Sequence, residues 1–170
     1  MSTAVLPSTD LYGRVCGFYF HEAELLDTYR FAEWVALFTP DVSYRMPVRT
    51  TKFLTQGEGF EEFEFFNETI GSLTTRVKRL ETEFAWAEVP PSRTRHFVSN
   101  IIVEEPEDEE GLDVRSCFMV TRTRADLDYQ TFTGARHDRI LPAADGFAIQ
   151  RRLILVDQTV ITATNLSVFF

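Results

Sequence analysis

The stretch from residue 94 to residue 157 decides the fold. It reads TRHFVSNIIVE at 94–104, DVRSCFMVTRTR at 113–124, YQTFTGARHDRIL at 129–141 and FAIQRRLILVD at 147–157. Apolar and polar residues alternate through these segments, which is the repeat of a half-buried strand. The gaps between them hold Gly111, Ala125-Asp126 and Pro142 to Gly146, which are turn material. Four consecutive strands with short connections predict an antiparallel meander. Each exceeds ten residues, against a usual length of roughly five or six, so the sheet must curl strongly.

Upstream of the meander the repeat is different. Asp10 is placed to cap a helix with a stripe of Leu11, Val15, Phe18, Tyr19 and Leu25 or Leu26, reaching about Leu26. Asp27 is placed to cap a second, in which Phe31, Trp34, Val35 and Phe38 recur before Pro40 stops it. Val42, Tyr44, Met46 and Val48 then alternate as a strand, with Pro47 pointing to an edge position or a strand end. Phe60 to Phe66 has no clear period, and Asn67 can cap a third helix carrying Ile70, Leu73, Val77 and Leu80. Phe84 and Trp86 begin a strand that Pro90-Pro91-Ser92 interrupts. Helices followed by a long meander predict an α+β fold, with N-terminal helices packed on a long, curved, mostly antiparallel sheet that closes into a cone. The expected organisation is a flexible N-terminal arm at 1–9 and one domain at 10–170, with no repeat or linker dividing it.

Composition narrows the partners. The chain has 170 residues, 44% hydrophobic and 14% aromatic, with sixteen Phe, which is ample apolar surface for one core. Its 26 acidic against 17 basic residues give a formal charge of -9, a field that repels nucleic acid and anionic lipid. Glu104, Glu105, Glu107, Asp108, Glu109 and Glu110 crowd one stretch. It reads as a solvated hairpin loop, with an acidic docking patch for a basic redox partner as the alternative. No window approaches the ~20 apolar residues of a membrane span, and residues 1–9 lack a basic segment leading into an apolar run. A soluble, cytoplasmic protein is expected.

Metal chemistry has little to work with. Cys16 and Cys117 fit no disulfide or metal spacing and are expected as reduced, buried thiols. Neither has a His two or three residues on, as a Rieske cluster would need. His21, His96 and His137 form no H-x-[DE] pair of the kind a mononuclear iron site would favour. Acid-base work is the sharper alternative, because His96 and His137 fall on strand faces that could point into a cone. By strict alternation His96 shares its face with Val98, Asn100 and Ile102, and His137 shares one with Tyr129 and Thr131. Arg93, Arg95 and His96, close after Trp86, suggest buried or interfacial ion pairs. The run Asn165 to Phe170 ends in two Phe, which need cover from the core or from another subunit.

Four segments carry a resemblance. His21-Glu22-Ala23-Glu24-Leu25-Leu26-Asp27 leads into Trp34, and Tyr44-Arg45-Met46-Pro47-Val48-Arg49 follows. Trp86 to His96 with Val98-Ser99-Asn100 is the most specific, and Asn165-Leu166-Ser167-Val168-Phe169-Phe170 is the last. Together they resemble the β subunits of aromatic-ring-hydroxylating dioxygenases of the biphenyl, toluene and benzene type. The resemblance implies a cone-like fold similar to nuclear transport factor 2 and scytalone dehydratase. It also implies a structural, non-catalytic chain without cofactor, held with other β subunits and with α subunits, typically as α3β3. The α subunits would carry the Rieske [2Fe-2S] cluster and the mononuclear iron, fed by a ferredoxin and reductase from NADH, and would make cis-dihydrodiols from arenes. Trp86, Arg93, Arg95, His96, Asn100, Asn165, Phe169 and Phe170 are the residues expected at a subunit interface or in a structural role. The competing reading is a free-standing cone-fold dehydratase or isomerase with a His/Asp/Tyr pocket.

With two Cys and three His that complete no known site, the isolated chain is expected to purify without stoichiometric iron, zinc or iron–sulfur chromophore. Elemental analysis checks this, and one equivalent of iron surviving chelation would contradict it.

Overall fold

The computed structural model describes residues 8–50, 59–80, 91–106, 110–124, 128–159 and 168–170. The expected N-terminal arm falls mostly outside these, as do the Phe84–Trp86 strand, Trp86 itself, Asn165 and the Ala125-Asp126 turn.

Helix α1 spans Thr9–Asp27, and its cap is Ser8, whose Oγ accepts from the Leu11 amide at 3.2 Å. Asp10 sits inside the first turn, where its charge favours the helix N-terminus. The second helix, α2, is only Phe31–Val35. Arg30 precedes it without a side-chain cap, and Asp27 is engaged elsewhere. Strand β1 already begins at Phe38 and runs to Thr50, so Pro40 lies in a strand and ends no helix. Edge strand β2, Gly59–Glu68, occupies the stretch without clear period and takes in Asn67. Helix α3 is Ile70–Leu80, opened by Thr69, whose amide donates to Ser72 Oγ while Ser72 N donates back to Thr69 Oγ1.

The meander follows as expected, with β3 at Arg93–Glu104, β4 at Leu112–Arg124, β5 at Asp128–Ala143 and β6 at Gly146–Val156. The single six-stranded sheet has the order β2-β1-β6-β5-β4-β3. Only β1 against β6 is parallel. Strand β1 is thus interior rather than an edge. Pro47 lies past the last β1 pairing with β6, at a register shift against β2, where a missing donor is tolerated.

Helix α1 packs Val15, Tyr19, Leu25 and Leu26 onto the inner face of the sheet, and all four are buried. Leu73 and Val77 of α3 and Trp34 of α2 close the core with Tyr44, Met46 and Phe66. Phe169 and Phe170 are core residues too, at 4% and 1% exposed. Of the two expectations for the tail, burial within the chain is the one realised. Each large apolar side chain withdrawn from water contributes about 1.5–3 kcal/mol, so losing this pair would damage the fold before it touched an interface.

A bulge in β3 changes which residues face inward. The register with β4 shifts between Ser99 and Ile102, and Asn100 has φ +52. Ile101 and Val103 are buried beyond the bulge, whereas Asn100 and Ile102 are exposed. Strict alternation from His96 misplaced both, because one extra residue reverses the parity. His137 also faces outward and is exposed. Its replacement by Ala should leave stability within about 0.5 kcal/mol, as for other surface positions.

The left-handed backbone at Asn100 suits Asn or Gly and penalises a branched side chain. Asn100→Val is expected to cost about 1–2 kcal/mol in urea unfolding, with Asn100→Gly close to wild type. Equal stability of the two variants would contradict the bulge.

Candidate functional site

Inside the cone, at the place where a fold of this shape could hold a pocket, lie four charged side chains. Glu22 comes from α1, Arg136 and Asp138 from β5, and Arg152 from β6, and all are 3% exposed or less. Arg152 is the hub. Its Nε and Nη2 donate to Asp138 Oδ1 and Oδ2 at 3.0 and 2.8 Å. Nη2 also reaches Glu22 Oε2 at 3.0 Å, and Nη1 donates to Glu22 Oε1 and to the Phe170 carbonyl. Arg136 adds Nη1 to Glu22 Oε2 at 3.3 Å and lies over the Tyr19 ring, with Nε and Nη2 left without a hydrogen-bond partner. Trp34 Nε1 donates to Glu22 and Tyr19 Oη donates to Asp138. Tyr44 Oη donates to the Phe170 carbonyl and accepts from the Phe170 amide, both at 2.9 Å.

Glu22 and Asp138 match Arg136 and Arg152 charge for charge, which offsets the cost of burying the four side chains. Burial alone would push Glu22 up, but Arg152 and Arg136, with hydrogen bonds from Arg152 and Trp34, hold it down at about 2. Burial opposes the charge of Arg152 as well, yet Asp138 and Glu22 keep it firmly protonated. Burial raises Tyr44 to about 12 and, with Asp138 alongside, raises Tyr19 too. Both phenols therefore stay neutral donors at physiological pH. Glu22, Arg152, Tyr19 and Tyr44 are thus all shifted away from exchanging a proton near neutral pH.

A second constellation gathers at the end of α1. Asp27 accepts from the His96 amide at 3.0 Å, from Thr94 Oγ1 at 3.2 Å and sits 2.5 Å from His96 Nδ1. His96 Nε2 faces the Phe169 carbonyl at 3.0 Å. Each ring nitrogen thus faces an oxygen of the same chain, Asp27 Oδ1 on one side and the Phe169 carbonyl on the other. Beside this clamp is an apolar cavity of about 320 Å³, lined among others by Leu26, Tyr29, Phe31, His96 and Phe169. Tyr29 Oη is itself engaged, donating to the Ser92 carbonyl at 3.0 Å.

Comparison with known proteins gives the family. The family model described as "Ring hydroxylating beta subunit" matches residues 21–163. The chain belongs to the ring-hydroxylating β-subunit family. It is 36% identical over 167 residues to the benzene 1,2-dioxygenase subunit beta of Pseudomonas putida, covering 95% of this chain and 89% of that one. The biphenyl 2,3-dioxygenase subunit beta of Rhodococcus jostii strain RHA1 is 36% identical, with 90% and 85% covered. Among solved structures, a chain of naphthalene 1,2-dioxygenase superposes with a TM-score of 0.86 at 20% identity, over 96% of this chain and 88% of that one. That last likeness carries the fold alone. As a β subunit, the chain is one component of a multicomponent aromatic ring-hydroxylating oxidoreductase.

The residues expected to matter in this β subunit separate into groups. His96, Phe169 and Phe170 come together in the interior. Arg93 and Asn100 are exposed, and Arg95 is 67% exposed with a loose 3.6 Å contact to Asp27. Trp86 and Asn165 lie outside the described residues. Cys16 is half-buried and Cys117 exposed on β4, which corrects the expectation of two buried thiols. Among the described residues no group of three or more His, Cys, Asp or Glu converges where it could hold a metal ion. No helix of the described residues is long and apolar enough to cross a membrane.

Sequence reasoning missed the four central charges, although the signal was present. Val15, Tyr19, Glu22 and Leu26 fall at i, i+4, i+7 and i+11, so Glu22 stands in the buried stripe of α1. Arg136 and Asp138 alternate with the exposed side of β5 between Phe132 and Ile140.

The depressed Glu22 links stability to acid. Its folded value near 2 lies below the ordinary 4.5, so its contribution is complete above about 4.5 and is lost as the pH falls through 2. The contribution at neutral pH is about 3 kcal/mol. Urea midpoints measured from neutral pH down to the onset of acid unfolding should fall in this window, and Glu22→Gln should start lower and respond less. An unchanged acid response in Glu22→Gln would contradict the assignment.

Proposed function

We propose that this β subunit is a non-catalytic scaffold of a Rieske non-haem iron dioxygenase that converts arenes to cis-dihydrodiols. In this reading it joins α subunits and further β copies as α3β3 in the cytoplasm. The iron–sulfur cluster and the mononuclear iron belong to α, and electrons arrive from NADH through a reductase and ferredoxin. Family membership supports the α partner, and the stoichiometry and electron carriers extend that reading. One domain spanning about 10–170 is part of the same proposal, with Trp86, Arg93, Arg95, Asn100 and Asn165 as contact or structural positions.

One observation carries the scaffold role. Among the described residues, Glu22, Asp27, Asp138, His96, Tyr19 and Tyr44 inside the cone are each bonded to another part of the same chain. Catalytic groups are expected to converge on space where a reacting atom can sit. Here the interior is occupied by ion pairs, which take the place that a substrate of a dehydratase or isomerase would need. The apolar cavity beside His96 is a feature that would favour that alternative, and His96, Asp27 and Tyr29 are all engaged there.

His96→Ala separates the two readings. It removes one partner from Asp27 and one from Phe169, so a stability loss of about 1–3 kcal/mol is expected. Assembled enzyme co-expressed with α and loaded with iron should still turn over at close to the wild-type rate. A hundredfold loss of turnover in an intact complex would favour a catalytic His96, and failure of the wild-type chain to co-purify with α would refute the scaffold role.

A further inference from the structure

The cavity of about 320 Å³ beside the Asp27 and His96 clamp has walls that are apolar and largely aromatic among the described residues. Leu26 and Phe169 are buried, Phe31 and Leu80 are half-buried, and Tyr29 keeps 43% of its surface exposed. The three rings stand edge to face. Tyr29 and Phe31 have centroids 6.1 Å apart at 72°, and Phe31 and Phe169 are 5.9 Å apart at 62°. A further ring can join such a set edge to face or offset-stacked, which adds to what burial alone contributes.

Tyr29 is a costly choice for its position. At the end of α1 the Arg30 amide donates to the Leu25 carbonyl at 2.8 Å and the Tyr29 amide to the Leu26 carbonyl at 3.3 Å. These are the paired bonds of a helix end that usually carries glycine at its left-handed residue. Tyr29 fills that place with φ +61, where a bulky side chain is a rare outlier. Its hydroxyl accounts for part of the choice by donating to the Ser92 carbonyl. Its ring lines the cavity, and strained residues of this kind gather at ligand clamps.

The polar groups at the cavity are engaged within the chain. Thr94 Oγ1 donates to Asp27, Ser92 Oγ accepts from Arg122, and His96 is held between Asp27 and the Phe169 carbonyl. Among the described residues no Asp, Glu, Lys or Arg lines the space. A charged guest would lose its hydration there without gaining a partner. A neutral apolar guest loses nothing of the kind, and apolar cavities accept molecules of the size of benzene. The volume lies at the small end of ligand pockets, which restricts the guest to a compact one.

We infer that this cavity is a binding site for a neutral single-ring arene, which packs against Tyr29, Phe31 and Phe169. The site is additional to the scaffold role proposed above and does not depend on it.

Isothermal titration of the 170-residue chain with toluene, and with benzoate as its charged counterpart, tests the assignment. Wild type is expected to take up one toluene per chain saturably, with benzoate weaker by about tenfold or more. Leu80 is half-buried at the end of α3, so Leu80→Trp should fill the space and abolish the uptake. Tyr29→Gly removes one ring while suiting the backbone, and should weaken toluene by about fivefold. Tyr29→Phe keeps the ring without its hydroxyl, and should bind within about twofold of wild type. Circular dichroism checks the folding of each variant, and the two Tyr29 variants decide the matter should Leu80→Trp unfold. The assignment is overturned if the folded wild-type chain shows no saturable uptake, if benzoate binds as tightly as toluene, if folded Leu80→Trp binds like wild type, or if the Gly and Phe variants bind alike. Co-purification with α should be the same whichever result is obtained, because it tests the scaffold reading alone.

Discussion

Arg152 is the residue on which the rest of the structure depends. It joins the first helix through Glu22, the fifth strand through Asp138 and the chain's last residues through the Phe170 carbonyl. A strongly curved sheet wrapped around one long helix leaves an interior that must be filled. In this chain it is filled by a neutral set of ion pairs ringed by Tyr19, Trp34, Tyr44, Phe38 and Phe170. Buried pairs of this kind are poor substitutes for apolar packing in raw stability, yet they are costly to break once made. The bonds that Arg152 makes to Glu22, Asp138 and Phe170 can all form only when helix, strands and tail hold one arrangement.

The same commitment binds the described interior groups to one another rather than turning them toward a ligand. A cone fold supports catalysis when its inner face presents groups with spare valence to a ligand. Asp27 and His96 resemble such a pair in type and position, but Asp27 gathers the β3 backbone and Thr94 while His96 holds the Phe169 carbonyl. The pair therefore fastens the tail to the rim of the sheet. On the outside lie the bulge at Asn100, the exposed arginines at the head of β3 and the exposed side chains of Phe97 and Met119.

Much of this was legible in the amino-acid order. The 3.6-residue stripes of α1 and α3 and the two-residue alternation of β3 to β6 lie on the page because each element buries one face and wets the other. Strand β2 was illegible for the opposite reason, since Phe63 and Phe65 are exposed while Phe66 is buried, so aromatics occur on both faces. The end of α2 was misjudged because Phe38 suits either period and a proline at an early strand position looks like a helix stop. Face assignments failed at Asn100 because a bulge is a register event between two strands, which neither strand announces alone. The ion cluster was overlooked because charge is ordinarily read as exposure. It could have been suspected only by asking why Glu22 and the pair Arg136 and Asp138 occupy positions reserved for the core.

The most direct test is a double-mutant cycle on Glu22 and Arg152, using Glu22→Leu, Arg152→Met and the two combined, followed by urea unfolding of the chain. If the interior is held by their pairing, each single change strands a buried charge and costs about 3–5 kcal/mol. The double variant should then cost less than the sum by at least about 2 kcal/mol. Additive effects within about 0.5 kcal/mol would mean that the two side chains do not support one another, and the account would fail.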